Sequence, residues 1–245
     1  MKLDIQQEVE NRVLFIRRIL EKSGATGIVY GNSGGKDCTL VGILCKMATD
    51  TVLSVVLPIE SKQNFGSDRE HAFLAAAQYN IETIEIDLTA VKAQMQAVLG
   101  EQCTKPIGLA NINPRLRMTA LYAIGQERGY LVAGTGNRSE RAIGYFTKFG
   151  DGACDFNPIA DLTVGEVYAF LEFLKAPREI IDKAPSAGLW DGQTDEAEMG
   201  MRYADIDNYL LTGEGDPDVA AKIERSIRVS AHKRALPPLY GDDLG

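Results

Sequence analysis

Six consecutive residues, Ser33-Gly34-Gly35-Lys36-Asp37-Cys38, bring together groups suited to a polyphosphate. Gly31, Gly34 and Gly35 permit positive φ and let backbone N–H groups approach an anion without a Cβ between them. Ser33 adds a hydroxyl donor and Lys36 a cation. Asp37 adds a carboxylate that could hold magnesium on a phosphate chain. The apolar run Ile28-Val29-Tyr30 precedes the glycines, and Leu40, Ile43, Leu44 and Met47 follow with helical spacing. The order is therefore strand, tight loop, helix. The first N–H groups of such a helix lack intrahelical partners and carry partial positive charge, so an anion is the expected guest.

Two familiar phosphate loops do not fit. A Walker A loop needs four residues between its glycines and Ser or Thr after its Lys; here the gap is three and Asp37 follows Lys36. The later stretch Gly134-Thr135-Gly136-Asn137-Arg138-Ser139 lacks the last glycine of a dinucleotide fingerprint.

Four further clusters carry chemistry. In Asn111-Ile112-Asn113-Pro114-Arg115-Leu116-Arg117-Met118, two arginines separated by one residue cannot share a helical face, so at most one enters a site. Glu140, just after the second glycine loop, either supplies another carboxylate to a metal or closes a capping turn with Ser139. The stretch Gly144 to Asp155 sets aromatic residues around Lys148, Asp151 and Asp155, a combination suited to a nicotinic ring with charged substituents. Last come Pro185-Ser186-Ala187-Gly188-Leu189-Trp190 and the basic trio His232-Lys233-Arg234.

The elements that must position these groups alternate. Leu3 to Lys22 is amphipathic, with Val9, Val13, Ile16 and Leu20 on one helical face. Thr51 to Leu57 is a β-branched run stopped by Pro58, and Ile81 to Ile86 alternates like a strand. Tyr130 to Ala133 supplies a fourth strand ending in glycine. Helices are predicted over Ser67–Tyr79, Leu88–Leu99, Pro114–Arg128, Thr163–Leu174, Asp195–Leu211 and Asp216–Arg228. Gly100–Gly108 and Ser139–Phe156 read as loops, and Leu236 begins an irregular tail. Such alternation predicts an α/β fold, a doubly wound parallel sheet flanked by helices, with ligands at the carboxyl ends of the strands. No composition break marks a linker, so one domain over residues 1–245 is expected.

Composition narrows the partners. A net charge of −8 argues against general nucleic-acid binding, which needs clustered cations, but not against a nucleotide held locally. Four unpaired-looking cysteines and two histidines give no zinc spacing and suggest reduced thiols. No signal sequence or membrane-length apolar run is visible, and a cytoplasmic protein is expected.

The Ser-Gly-Gly-x-Asp loop resembles that of the ATP pyrophosphatase superfamily, which splits ATP between its α and β phosphates. The ordered set of clusters resembles, more narrowly, the ammonia-dependent NAD synthetases, from the loop nearly to the C-terminus. That resemblance implies an adenine nucleotide alpha-hydrolase-like fold and the ATP-driven amidation of nicotinic acid adenine dinucleotide (deamido-NAD) to NAD. It implies ATP contacts at Gly31, Asn32, Ser33, Gly34, Gly35, Lys36, Asp37 and Cys38, with Thr135 and Ser186. Magnesium would sit on Asp37 and Glu140. Arg115, Lys148, Asp155, His232 and Lys233 would contact the dinucleotide acid, which in the family lies at a two-fold interface, so a homodimer is implied. Lys36 and Ser33 would offset charge on the departing pyrophosphate, and Asp151, with Asp155 second, is the candidate to accept a proton from ammonium.

Two positions depart from the family pattern. Cys38 replaces a serine, a weaker donor. Val164 stands where an ATP-binding lysine is usual, with Lys36 or Arg138 as the available compensation. With no second cysteine-nucleophile domain in view, ammonia itself or a separate donor protein is the expected nitrogen source. The alternatives are a related amidating or thiolating pyrophosphatase, or a nucleotide-binding regulator that has lost turnover. Thiolation would want paired catalytic cysteines and a basic RNA-binding surface, neither of which is seen.

Overall fold

The computed structural model describes residues 3–61, 65–183 and 195–241. Helix α1 (Ile5–Ser23) opens where the Asp4 carboxylate accepts the Gln7 N–H, and closes at Gly24 in the left-handed conformation. Strand β1 (Gly27–Gly31) leads through the glycine loop into α2 (Lys36–Ala48), then β2 (Val52–Val56) and α3 (Ser67–Gln78). Strand β3 (Glu82–Glu85), α4 (Thr89–Leu99), α5 (Pro106–Ala110), α6 (Ile112–Arg128) and β4 (Tyr130–Val132) follow. The chain then forms α7 (Arg138–Ile143), α8 (Val164–Phe173), α9 (Arg178–Ile181), α10 (Asp195–Met199), α11 (Tyr203–Thr212) and α12 (Pro217–Val229). A 3₁₀ turn, Ala231–Lys233, comes last.

The four strands are parallel, in the order β3-β2-β1-β4. Side chains of β1 alternate between two cores, as the strand period requires. Ile28 and Tyr30 join α1, α2 and α8 on one face; Val29 joins Leu53, Val55, Val132 and Leu121 of α6 on the other. The doubly wound expectation is met. A third apolar cluster, with Ile143, Val164, Met201, Tyr203, Ile206 and Ile223, packs α7, α8, α11 and α12 together.

Three sequence expectations change. Ser139–Phe156, read as loop, begins inside α7, whose six residues are too few to show periodicity. The helix expected over Asp195–Leu211 is two, because Gly200 takes φ 62° between α10 and α11. The Gly100–Gly108 loop contains a 3₁₀ turn and runs into α5.

Arg12 of α1 is buried and fastens this helix to the turn beyond the site. Its guanidinium donates to the Pro158 carbonyl at 2.7 Å and to both Asp161 oxygens at 2.7 and 2.8 Å. Asp161 stays largely in water, so removing its partner strands no buried carboxylate. Arg12→Ala should therefore lower the unfolding free energy by about 2 kcal/mol, read from urea midpoints. Arg12→Lys should recover less than half, since an ammonium cannot make the fork.

Candidate active site

Strands β1 and β4 are neighbours, so the loops leaving their carboxyl ends face one another. Between them lies a cavity of about 470 Å³. Its lining includes Gly31, Ser33, Lys36, Asp37, Thr135 and Glu140.

The first loop is braced from within. Asn32 is buried; its amide nitrogen donates to Ser54 Oγ and the Ala72 carbonyl, and its oxygen accepts from Gly34 N and Cys38 Sγ. Gly34 has φ 69°, and a Cβ there would sit 2.1 Å from the Asp68 carbonyl oxygen, so nothing larger fits. Thr39 N–H is the first to reach a carbonyl of the turn, that of Gly35. The amides just before it have no helical acceptor.

The second loop is held by Asn137, which is fully buried. Its oxygen accepts the Glu140 N–H at 3.0 Å and its amide donates to Asp37 Oδ1 at 3.1 Å. Glu140 completes a capping box by accepting Asn137 N–H on Oε2 at 3.3 Å. Its other oxygen, Oε1, lies 3.7 Å from Lys36 Nζ, which is 2.7 Å from Asp37 Oδ2. Capping and cavity-facing roles thus use different oxygens of one carboxylate, and the cap residue is Asn137, not Ser139.

The electrostatics follow from burial. Burial pulls the Lys36 ammonium down, but Asp37 and Glu140 outweigh it, and the proton is held more tightly than usual. Glu140 is pushed up to about 8 by burial and by Asp37, with Lys36 opposing. Two close carboxylates in a region of low dielectric share too little positive charge. Such a pair of hard oxygen donors beside an anion-binding loop fits magnesium, which takes one or two carboxylates and completes its shell with phosphates and water.

Other expected residues are spread more widely. Asp151 lines the cavity, reachable by solvent though protein surrounds it; its Oδ1 accepts Thr147 N–H at 2.9 Å. Burial raises its pKa, against the Thr147 hydrogen bond, Lys233 and Arg117. Lys233 also lines the cavity, donating to the Gly144 and Phe146 carbonyls at 2.8 Å. Arg115, Lys148 and His232 form a chain outside that lining: the Arg115 guanidinium is 3.4 Å from the Lys148 carbonyl, and Lys148 Nζ donates to the His232 carbonyl at 2.6 Å. Asp155 is exposed beside β4, accepting from Val132 N–H and Tyr122 Oη. Ser186 lies outside the described residues.

Several cavity residues escaped the sequence reading. Of the two arginines, Arg117 enters the cavity and donates to the Leu57 carbonyl at 2.9 Å. Asp195 accepts from Tyr145 Oη and Tyr203 Oη, and Tyr145 also donates to Glu198. Asp68 and Lys183, both in the cavity lining, form an ion pair beside the glycine loop, where the Asp68 carbonyl meets Gly34. The R-x-R spacing signalled that at most one arginine would point inward, without saying which. Val164 is buried in the third apolar cluster, and Arg138 donates its guanidinium to the Leu210 carbonyl, so Arg138 does not supply the compensating cation.

A parallel sheet with a glycine loop at its carboxyl edge is the arrangement of doubly wound, nucleotide-using α/β enzymes. The model of the family described as NAD synthase matches residues 8–237. The NH(3)-dependent NAD(+) synthetase of Carboxydothermus hydrogenoformans is 43% identical over 242 residues, covering 97% of this chain and 98% of that relative. Among solved structures, NMN synthetase from Francisella tularensis superposes with a TM-score of 0.92 at 33% identity, covering 97% of this chain and 99% of that one. NH3-dependent NAD synthetase from Campylobacter jejuni, in complex with nitrate, superposes with a TM-score of 0.79 at 31% identity over 97% and 99% of the two chains. The chain belongs to the NAD synthase family.

The raised Glu140 pKa has a stability consequence of definite sign. An unfolded glutamate titrates near 4.3, so between about pH 4.3 and 8 the folded chain binds a proton that the unfolded chain has released. Without ligand, this group's contribution must fall as pH rises through that window. Glu140→Gln keeps a capping acceptor and removes the titration, so its stability relative to wild type should climb from pH 4.5 to 8 in urea unfolding. A constant difference across that range would contradict the burial argument.

Proposed function

We propose that the protein is an amide-forming ligase that converts deamido-NAD and ammonia to NAD, with ATP becoming AMP and pyrophosphate. The supporting observation is the meeting of Asp37, Lys36 and Glu140 at a glycine loop of this family. The nicotinate carboxylate attacks the α-phosphorus as the bond to the bridging oxygen of the β-phosphate breaks, giving an acyl-adenylate and pyrophosphate. Ammonia nitrogen then attacks the acyl carbon, and AMP leaves with the C–O bond electrons. Positioning and charge neutralisation carry these steps, and no protein nucleophile is required.

In this reading the backbone of Gly31 to Cys38, with Ser33 and Lys36, holds the phosphates, and Thr135 and Ser186 complete the ATP contacts. The Asn32 side chain serves the loop and not the ligand. Asp37 and Glu140 would hold magnesium, whose charge, when bound, offsets that building on the pyrophosphate oxygens. Arg115, Lys148, Asp155, His232 and Lys233 are assigned to the dinucleotide acid. Asp151 is assigned to ammonium: its carboxylate attracts the cation and accepts its proton, with Asp155 the second choice. Burial raises the Asp151 pKa, which strengthens it as a proton acceptor, while Lys233 and Arg117 partly oppose that rise. We read residues 1–245 as one synthetase domain that uses ammonia.

A homodimer fits the exposed apolar stripe Val91, Met95 and Val98 on α4, with Ile107 and Tyr122 also exposed. No helix among the described residues is long and apolar enough to cross a membrane, and we assign the enzyme to the cytoplasm, where its ATP is made available. The higher structural similarity to an NMN synthetase favours a second reading, amidation of the corresponding mononucleotide acid by the same chemistry.

An assay of AMP release decides between these. AMP should form only with ATP, ammonium and a nicotinic acid nucleotide together, with a higher kcat/KM for the dinucleotide than for the mononucleotide. Reversed preference would favour the second reading, and AMP release independent of ammonium would exclude both. Asp151→Asn should lower kcat/KM for ammonium by about a hundredfold while leaving the KM for ATP nearly unchanged. Equal effects on both would remove Asp151 from the ammonia step.

A further inference from the structure

Among the described residues, the cavity is lined by the cations Lys36, Arg69, Arg117, Lys183 and Lys233. Four of them are tied into the protein frame. Lys36 sits between Asp37 and Glu140, Arg69 pairs with Glu85 at 2.6 Å and also stacks on the Phe73 ring at 4.9 Å, Arg117 holds the Leu57 carbonyl, and Lys233 holds two carbonyls of the 144–146 turn. Lys183 differs, because its ammonium is held by a single exchangeable partner, Asp68 Oδ1, at 2.6 Å.

The location of that pair matters. Asp68 stands in the first turn of α3, and its carbonyl is the atom against which Gly34 packs. The Asp68–Lys183 pair therefore lies alongside the phosphate-type loop. The Lys183 backbone is fixed: its carbonyl accepts from Tyr168 Oη at 3.3 Å, and the preceding α9 is rooted by fully buried Ile180. Its flexible four-carbon stem, in a side chain one-fifth exposed, can carry the ammonium from one oxygen to another. Asp68 would not be stranded by such a move, because it also interacts electrostatically with the Arg117 guanidinium.

We propose that Lys183 is a phosphate ligand for ATP held in waiting by Asp68: when the triphosphate enters, the Lys183 ammonium exchanges the Asp68 carboxylate for a phosphate oxygen, and Arg117 remains to neutralise Asp68. This rests on the reading that the glycine loop takes ATP. A triphosphate chain carries more negative charge than one carboxylate and presents more acceptor oxygens, so it competes well for a mobile ammonium.

Two substitutions in the full chain give opposite signs. Lys183→Met should weaken ATP binding about tenfold or more, measured by calorimetry with ATP and magnesium, with the KM values for ammonium and the nucleotide acid within about twofold of wild type. Lys183→Arg should restore most of the affinity. Asp68→Asn removes the competing carboxylate without changing its shape, so it should tighten ATP binding several-fold. If Asp68→Asn instead weakens ATP as Lys183→Met does, or if Lys183→Met leaves ATP affinity unchanged, the pair is only a structural tie and the proposal is wrong. Should Lys183→Met fail to fold, the sign of the Asp68→Asn effect still decides. A wild-type chain that binds no ATP would instead overturn the underlying reading of the loop.

Discussion

The structure depends on one buried side chain, that of Asn137. An amide offers an acceptor and a donor on opposite arms, and here the two arms serve different elements. The oxygen caps α7, while the nitrogen holds the carboxylate that opens α2. Two loops from adjacent strands are thereby set in one register, with Asp37 and Glu140 around the ammonium of Lys36. A largely enclosed pair of carboxylates costs free energy unless cations surround them, and one lysine is not enough to keep both ionised. The protein accepts this imbalance at a place where magnesium and a polyphosphate would correct it, a pattern common at functional sites.

The rest of the fold serves that register. Parallel pairing of β1 with β4 places both carboxyl ends on one edge, and the β1 strand, buried on both faces, fixes where the first loop begins. Behind the second loop, the bridge between Ala133 and Phe156 and the Arg12 fork on the 158–161 turn anchor the return of the chain. The third apolar cluster brings Tyr203 over the Lys36 ammonium, 5.5 Å from the ring centre, and so covers that cation from the C-terminal side. This apolar cover keeps water from screening the charges beneath it.

Much of this was legible in the residues alone. The strand–loop–helix order around Gly31 to Cys38 and the four parallel strands rest on local patterns that tertiary packing reinforces, whereas a joint role for Asp37 and Glu140, distant in sequence, came only from the family resemblance. Other features depend on contacts distant in sequence. Whether Arg115 or Arg117 turns inward is decided by where α6 meets β2, which no local spacing encodes. Asn32 reads as a ligand-facing loop residue, yet its amide is consumed by Ser54 and Ala72, tens of residues away. Asp195 becomes part of the cavity wall only because Tyr145 and Tyr203 reach it from two other segments. The choice between capping and cavity-facing roles for Glu140 dissolved once its two oxygens were seen to point apart.

The central claim is that Asp37 and Glu140 act as one unit on magnesium-bound ATP. A double-mutant cycle on the equilibrium binding of ATP with magnesium, using Asp37→Asn, Glu140→Gln and the pair together, addresses it directly. The double variant should bind about as weakly as the worse single variant, because either loss disables the shared site. If the two effects simply add, the carboxylates act independently and the account of the two loops as one site is wrong.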